Sequence, residues 1–228
     1  MRAASRVLLV TGTSGRVLSS HRVRPLRMRA SSAEAFIVQE LRCGLSPTLY
    51  YHSLAHTLDV AQAAHGLAAA EGVTDAETLT LLRTAALYHD AGFLHTYAGH
   101  EARGSEIVRT TLPGFGYSGG QIEQICALIA ATQYPQEPRD HLAQILCDAD
   151  LDYLGRPDFV PISTSLFREL TARQLIADEH AWFQLQERFL TGHQYWTATA
   201  LTLRTAPKQA QLNHIRARLA AWPGPAAA

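Results

Sequence analysis

Lysine is nearly missing from this chain: Lys208 stands alone among 228 residues, and arginine and histidine supply the other basic side chains. Basic and acidic residues balance at 20 each, so the sequence lacks the positive excess of a dedicated nucleic-acid binder. Any phosphate recognition falls to arginines and histidines. Cysteine is scarce as well. Cys43, Cys126 and Cys147 are odd in number and form no CxxC pair, which argues against a disulfide framework and a cysteine zinc site and fits a reducing cytoplasm. As free thiols they are expected to be buried. No apolar run approaches the roughly 18 residues that span a bilayer, so no membrane partner is expected.

What is plentiful points to a folded chain. Hydrophobic residues make up 47% and charged residues 18%, the balance of a soluble globular protein with a substantial core. The first thirty residues stand apart, with Arg2, Arg6, Arg16, Arg22, Arg24, Arg27 and Arg29 ahead of the first acid, Glu34. This reads as an extension outside the fold, either like a transit peptide or an over-extended start ahead of Met28. The second reading is favoured, because folded-looking sequence begins at about Ser31. Residues 31–222 are expected to form one domain, ahead of a Pro/Ala tail at 223–228.

The pattern from Ser31 onward is helical. Ser31 and Glu34 have capping-box spacing ahead of Phe36, Ile37 and Leu41, and Gly44 is a stop. Pro47 suits the first turn of a second helix running through His52, His56 and Val60 towards Gly72. Thr74 and Glu77 repeat the box before an apolar helix from Asp75 to about Asp90, ended by Gly92. A helix from about His100 to Leu112 precedes Pro113, and Ser118 with Gln121 opens one carrying Ile122, Ile125, Leu128 and Ile129. Leu142, Ile145, Leu146 and Ala149 mark the next, and three amphipathic segments lie between Pro161 and Trp222. No alternating strand pattern emerges. The expected fold class is all-α.

Eleven histidines is a high count, and their placement narrows the chemistry. His52 and His56 are four apart, on one face if a single helix carries both. His89 and Asp90 are adjacent, about 100° apart around a helix axis and close enough to reach one ion. Asp148, Asp150 and Asp152 follow on a later helix. Asp148 and Asp152 share a face while Asp150 points elsewhere, and periodicity does not choose among them. Imidazoles and carboxylates from three helices are what a mixed nitrogen–oxygen metal site in a bundle requires. Four such ligands on a six-coordinate ion leave positions for water and a phosphate oxygen.

A His-Asp dipeptide alone is weak evidence, but the ordered series of motifs is specific. Tyr51-His52-Ser53-Leu54-Ala55-His56-Thr57-Leu58-Asp59-Val60 is followed by Ala85-Ala86-Leu87-Tyr88-His89-Asp90-Ala91-Gly92. His100-Glu101-Ala102-Arg103-Gly104-Ser105 and Cys147-Asp148-Ala149-Asp150-Leu151-Asp152 complete it. These stretches resemble the HD superfamily of metal-dependent phosphohydrolases. The resemblance implies an HD-domain helical bundle with additional C-terminal helices. It also implies metal ligation by His56, by the signature pair His89 and Asp90, and by Asp150 through the family's Ala-Asp pattern.

His52 is similar in position to the general acid of the cyclic-nucleotide phosphodiesterases. His100 and Glu101 would contact the substrate or a second metal, or simply start a helix, and Arg103 is a candidate phosphate contact. The implied reaction is hydrolysis of a small phosphate ester, a nucleotide or cyclic nucleotide, by metal-activated water. His52 would protonate the leaving oxygen. Mn, Fe, Co, Ni and Mg all suit these ligands. A Gly-Tyr-Pro signature of cyclic-di-GMP hydrolases is missing, Gly116-Tyr117-Ser118 being its nearest match.

Two rival readings share the scaffold: a di-iron oxygenase, and a module that binds without turnover. The oxygenase needs two further histidines between Asp90 and Asp150, for which His95 and His100 are the candidates. His65, His141, His180, His193 and His214 show no ligand spacing and are expected on the surface or in the core. Tyr134-Pro135-Gln136-Glu137-Pro138 resembles a loop near the pocket mouth, though turn chemistry suffices to explain it.

Overall fold

The computed structural model describes residues 28–223; the Arg-rich stretch through Arg27 and the chain from residue 224 lie outside them. The helices are α1 (Ala30–Gly44), α2 (Leu54–Ala70), α3 (Ala76–Tyr88), α4 (His100–Thr111), α5 (Gly119–Ala131), α6 (His141–Asp150), α7 (Phe159–Ala172), α8 (Glu179–Gly192) and α9 (Ala198–Ala220). Short 3₁₀ turns at Ala91–Leu94, Leu112–Phe115 and Asp152–Gly155 join some of them. No strand occurs among the described residues, so the fold is all-α.

The helix starts correct three sequence expectations. α1 begins at Ala30, leaving Ser31 inside the helix without a capping role, and Glu34 accepts from Arg83 Nε of α3 at 3.0 Å. Its capping box is displaced by an inter-helix ion pair. α3 is capped by Asp75, not Thr74. The Asp75 carboxylate accepts from the Thr78 N–H at 2.8 Å and the Thr78 hydroxyl at 2.7 Å, and a carboxylate also matches the positive end of the helix dipole. α2 starts only at Leu54, with Ser53 as its cap, so neither Pro47 nor His52 belongs to it. The box of Ser118 and Gln121 forms as expected, with contacts of 2.8 and 3.3 Å.

Two hydrophobic clusters organise the packing. In the larger, Ile37 and Leu41 of α1, Leu82 and Leu87 of α3, Ile125 of α5 and Ile145 of α6 are fully buried. Each such side chain taken from water stabilises the fold by about 1.5–3 kcal/mol. The smaller joins Leu154 and Phe159 to Leu190 of α8 and to Leu212 and Ile215 of α9. Cys126 and Cys147 are buried as expected, whereas Cys43 is exposed.

Asp148 of α6 and Asp152 of the turn after it tie the two parts together. Asp148 is fully buried and accepts from the backbone N–H groups of Trp196 and Thr197 at 2.9 and 2.8 Å, and from the Thr197 hydroxyl at 2.7 Å. Asp152 accepts from Arg204 Nε of α9 at 2.7 Å. Lys208, also buried, donates to the carbonyls of Leu190 and His193 and so links α9 to α8.

Candidate metal centre

With Asp148 and Asp152 occupied by α9 and its cap, Asp150 is the aspartate of the trio that turns to the histidines. His56 lies in the first turn of α2, His89 and Asp90 directly after α3, and Asp150 at the end of α6. Asp150 Oδ1 is 3.2 Å from His56 Nε2 and 3.4 Å from His89 Nε2. Asp90 Oδ2 lies 3.2 Å from His89 Nε2 and 3.5 Å from His56 Nε2.

The residues present fit a divalent cation. His89 donates its Nδ1–H to the Ala86 carbonyl at 2.7 Å, which leaves Nε2 as the nitrogen that can meet a metal ion or a proton. That Nε2 and Asp90 Oδ2 are buried polar atoms with no hydrogen-bond partner, an arrangement that costs free energy unless something completes it. Neighbouring ligands about 2.1 Å from one ion sit about 3 Å apart in octahedral geometry, close to the spacings seen here.

Electrostatics asks for the same thing. Burial would push the Asp90 carboxyl up, yet His89 beside it holds the group well below the usual carboxylate range. Asp150 is likewise held low, against burial, by His56 and His89. Desolvation opposes charge on His89, but Asp90 and Asp150 raise it well above its ordinary value. The cluster favours a positive charge at its centre.

Asp90, Asp150, His52, His100 and Glu101 form one end of a cavity of about 250 Å³. His100 Nε2 stands 3.5 Å from both Asp90 Oδ1 and Glu101 Oε1, so the two oxygens of Asp90 face different histidines. His100 is set by Gly92. A Cβ there would meet the His100 carbonyl oxygen at 1.9 Å, so only glycine permits this approach of α4. Phe93 stacks on the rings of both His52 and His100, with centroids 4.2 and 4.0 Å apart.

His52 is fixed from outside α2. Its Nδ1–H is donated to Glu169 Oε1 of α7 at 2.5 Å. The same carboxylate accepts from the Tyr97 hydroxyl at 3.0 Å and from the backbone N–H groups of Tyr51 and His52 at 2.8 and 3.1 Å. Burial raises the Glu169 carboxyl, and its hydrogen bond with His52 more than offsets that, leaving it below its ordinary value. With Nδ1 engaged, Nε2 is the nitrogen His52 can offer the cavity. Sequence reasoning missed Glu169, Tyr97 and Phe93, none of which has a local signature.

Other expected contacts fall elsewhere. Arg103 pairs with Glu106 on the surface and, with His95, lines a different groove. His95 is exposed, so it does not join His100 at the cluster. Tyr134 and Gln136 line the cavity, which gives the Tyr134–Pro138 stretch more than a turn role. His193 is buried, and desolvation followed by the Lys208 charge lowers it to about 3.

The HD domain family matches residues 53–152. The fold is similar to a predicted HD superfamily hydrolase from an uncultured Thermotogales bacterium, at 22% identity over 83% of this chain and 92% of that one, with a TM-score of 0.54. It is also similar to Bacillus subtilis YpgQ, at 18% identity over 86% and 99% of the two chains, with a TM-score of 0.60. YpgQ in complex with ADP gives 18% identity, the same coverage and a TM-score of 0.58. No curated protein matches the chain. His56, His89, Asp90 and Asp150, whose side chains converge here, all lie within residues 53–152, the span that matches the HD domain family.

Proposed function

We propose that this protein is a metal-dependent phosphohydrolase acting on a small phosphate ester. His56, His89, Asp90 and Asp150 would hold a divalent ion drawn from Mn, Fe, Co, Ni or Mg. The observation that carries this reading is the pair of orphaned buried atoms, His89 Nε2 and Asp90 Oδ2, facing His56 and Asp150 beside one end of a cavity. When bound, such an ion supplies Lewis-acid polarisation of a phosphoryl oxygen and acidifies a water molecule.

The chain's own residues supply the rest. Glu169 holds the His52 ring by Nδ1, fixing the tautomer so that Nε2 can carry a proton to the leaving oxygen. At the N-terminus of α4, His100 would orient the phosphate, and His100 with Glu101 would help hold a second cation. The apolar wall beyond them excludes water from the reacting end and strengthens each of these interactions.

An activity screen with added metals across phosphomonoesters, nucleotides and cyclic nucleotides tests the reading, with His89→Ala and Asp90→Ala as controls. Metal-dependent turnover lost in both variants is expected. Wild-type turnover in both would sink the assignment, and oxygen-dependent turnover with two irons per chain would replace it with an oxygenase.

A further inference from the structure

Away from the metal cluster, the cavity is walled by apolar side chains of the C-terminal helices and the turn before them, Leu154, Leu166, Trp182, Leu185, Phe189 and Leu190 among them. Among the described residues, no arginine or lysine lines it. Three of the basic side chains on the surrounding elements are committed elsewhere, and Arg173 of α7 lies over the Tyr97 ring, outside the lining. Arg156 pairs with Asp59 at 2.9 Å and Asp158 at 2.7 Å, Arg204 with Asp152, and Lys208 with backbone carbonyls. The charged groups that do face the cavity include three carboxylates, Asp90, Asp150 and Glu101.

Charge counting then limits the occupant. Asp90 and Asp150 already neutralise a divalent ion, and Glu101 adds a further negative charge. One phosphate can be met by the ion's open positions and by His52 and His100. A second phosphate would enter a low-dielectric space with no partner, which is strongly unfavourable. The volume sets a second limit, since about 250 Å³ falls just below the roughly 300–1,000 Å³ of drug-sized ligand sites. Tyr134 narrows the mouth, its ring 5.0 Å from that of Phe189.

We propose that the substrate carries a single phosphate ester on a compact, mainly apolar body, in chemical class an aryl or alkyl phosphate. Nucleoside di- and triphosphates are excluded by the missing counter-charge. This rests on the phosphohydrolase reading above and narrows its substrate.

The full chain, loaded with Mn²⁺, is assayed on 1-naphthyl phosphate, hexyl phosphate, methyl phosphate, ADP and ATP. The kcat/KM for 1-naphthyl phosphate should exceed that for methyl phosphate by at least about tenfold, and that for ADP or ATP by more. A preference for ADP or ATP overturns the proposal. Leu185→Arg should erode the naphthyl preference and raise turnover of ADP. If that variant does not fold, Phe189→Ala should lower kcat/KM for 1-naphthyl phosphate about tenfold more than for methyl phosphate. Calorimetric titration with 1-naphthylphosphonate and methylphosphonate reads the wall without turnover. Tighter binding of the aromatic compound supports the proposal even if no ester is hydrolysed, in which case the phosphohydrolase reading alone fails. Equal binding of the two overturns it.

Discussion

His52 and Glu169 are 117 residues apart in the chain, yet their side chains meet at 2.5 Å beside the candidate metal centre. A buried carboxylate that binds one imidazole nitrogen sets the tautomer and raises the basicity of the other. Glu169→Gln should therefore lower kcat by about 10–100-fold while leaving bound metal unchanged. Glu169→Asp should recover part of the rate. Unchanged kcat would show that the Glu169 contact does not position His52 for the reaction.

The same carboxylate makes stability depend on pH. Its folded value lies below the ordinary 4.5, so its contribution is fully present above that pH and is lost as pH falls through the folded value. Denaturant unfolding of wild type and Glu169→Gln should show a stability gap that is constant near neutrality and narrows in acid below 4.5. A gap that widens in acid would contradict this sign.

Asp148 and Asp150 can be separated by experiment. Asp148→Asn weakens the buried hydrogen bonds to Trp196 and Thr197 and should cost about 1–3 kcal/mol, with metal content intact. Asp150→Asn should do the reverse, emptying the site of metal in elemental analysis with a smaller loss of folding stability. Loss of metal from Asp148→Asn instead would exchange the two roles.

Metal binding should register as stability. Ligand at one hundred times its Kd adds about 2.7 kcal/mol, so Mn²⁺ or another fitting divalent ion should raise Tm in wild type and EDTA should reverse it. His89→Ala should show neither response.

Gly92→Ala places a methyl group 1.9 Å from the His100 carbonyl oxygen. Relieving that clash should cost about 1–3 kcal/mol and displace His100, lowering activity more than stability alone explains. A variant with wild-type Tm and turnover would show that α4 can shift freely.

The convergence of His56, His89, Asp90 and Asp150 was legible because each belongs to a short stretch with its own signature. His56, His89, Asp90 and Asp150 all lie within the span matched by the HD domain. The helices beyond were legible as amphipathic segments, but what they contribute was not. Glu169 is one carboxylate on a helix face, and nothing within a few residues marks it as the partner of His52. The helix starts went wrong where two caps competed, as with Thr74 and Asp75, because the winner depends on packing as well as local preference. The trio Asp148, Asp150 and Asp152 divides by which element arrives opposite each residue, and periodicity does not carry that information.

The division between the matched span and the helices after it has a consequence for how this protein can diverge. The proposed metal ligands come from α2, the end of α3 and α6, whereas most of the cavity wall comes from the turn after α6 and from α7 and α8. Exchanges at Leu166, Leu185 or Phe189 change the shape offered to a substrate without touching a ligand. The reactive centre can thus stay fixed while the choice of ester drifts. Glu169 is the exception: it lies on α7, so any remodelling of that helix must keep one buried carboxylate in place.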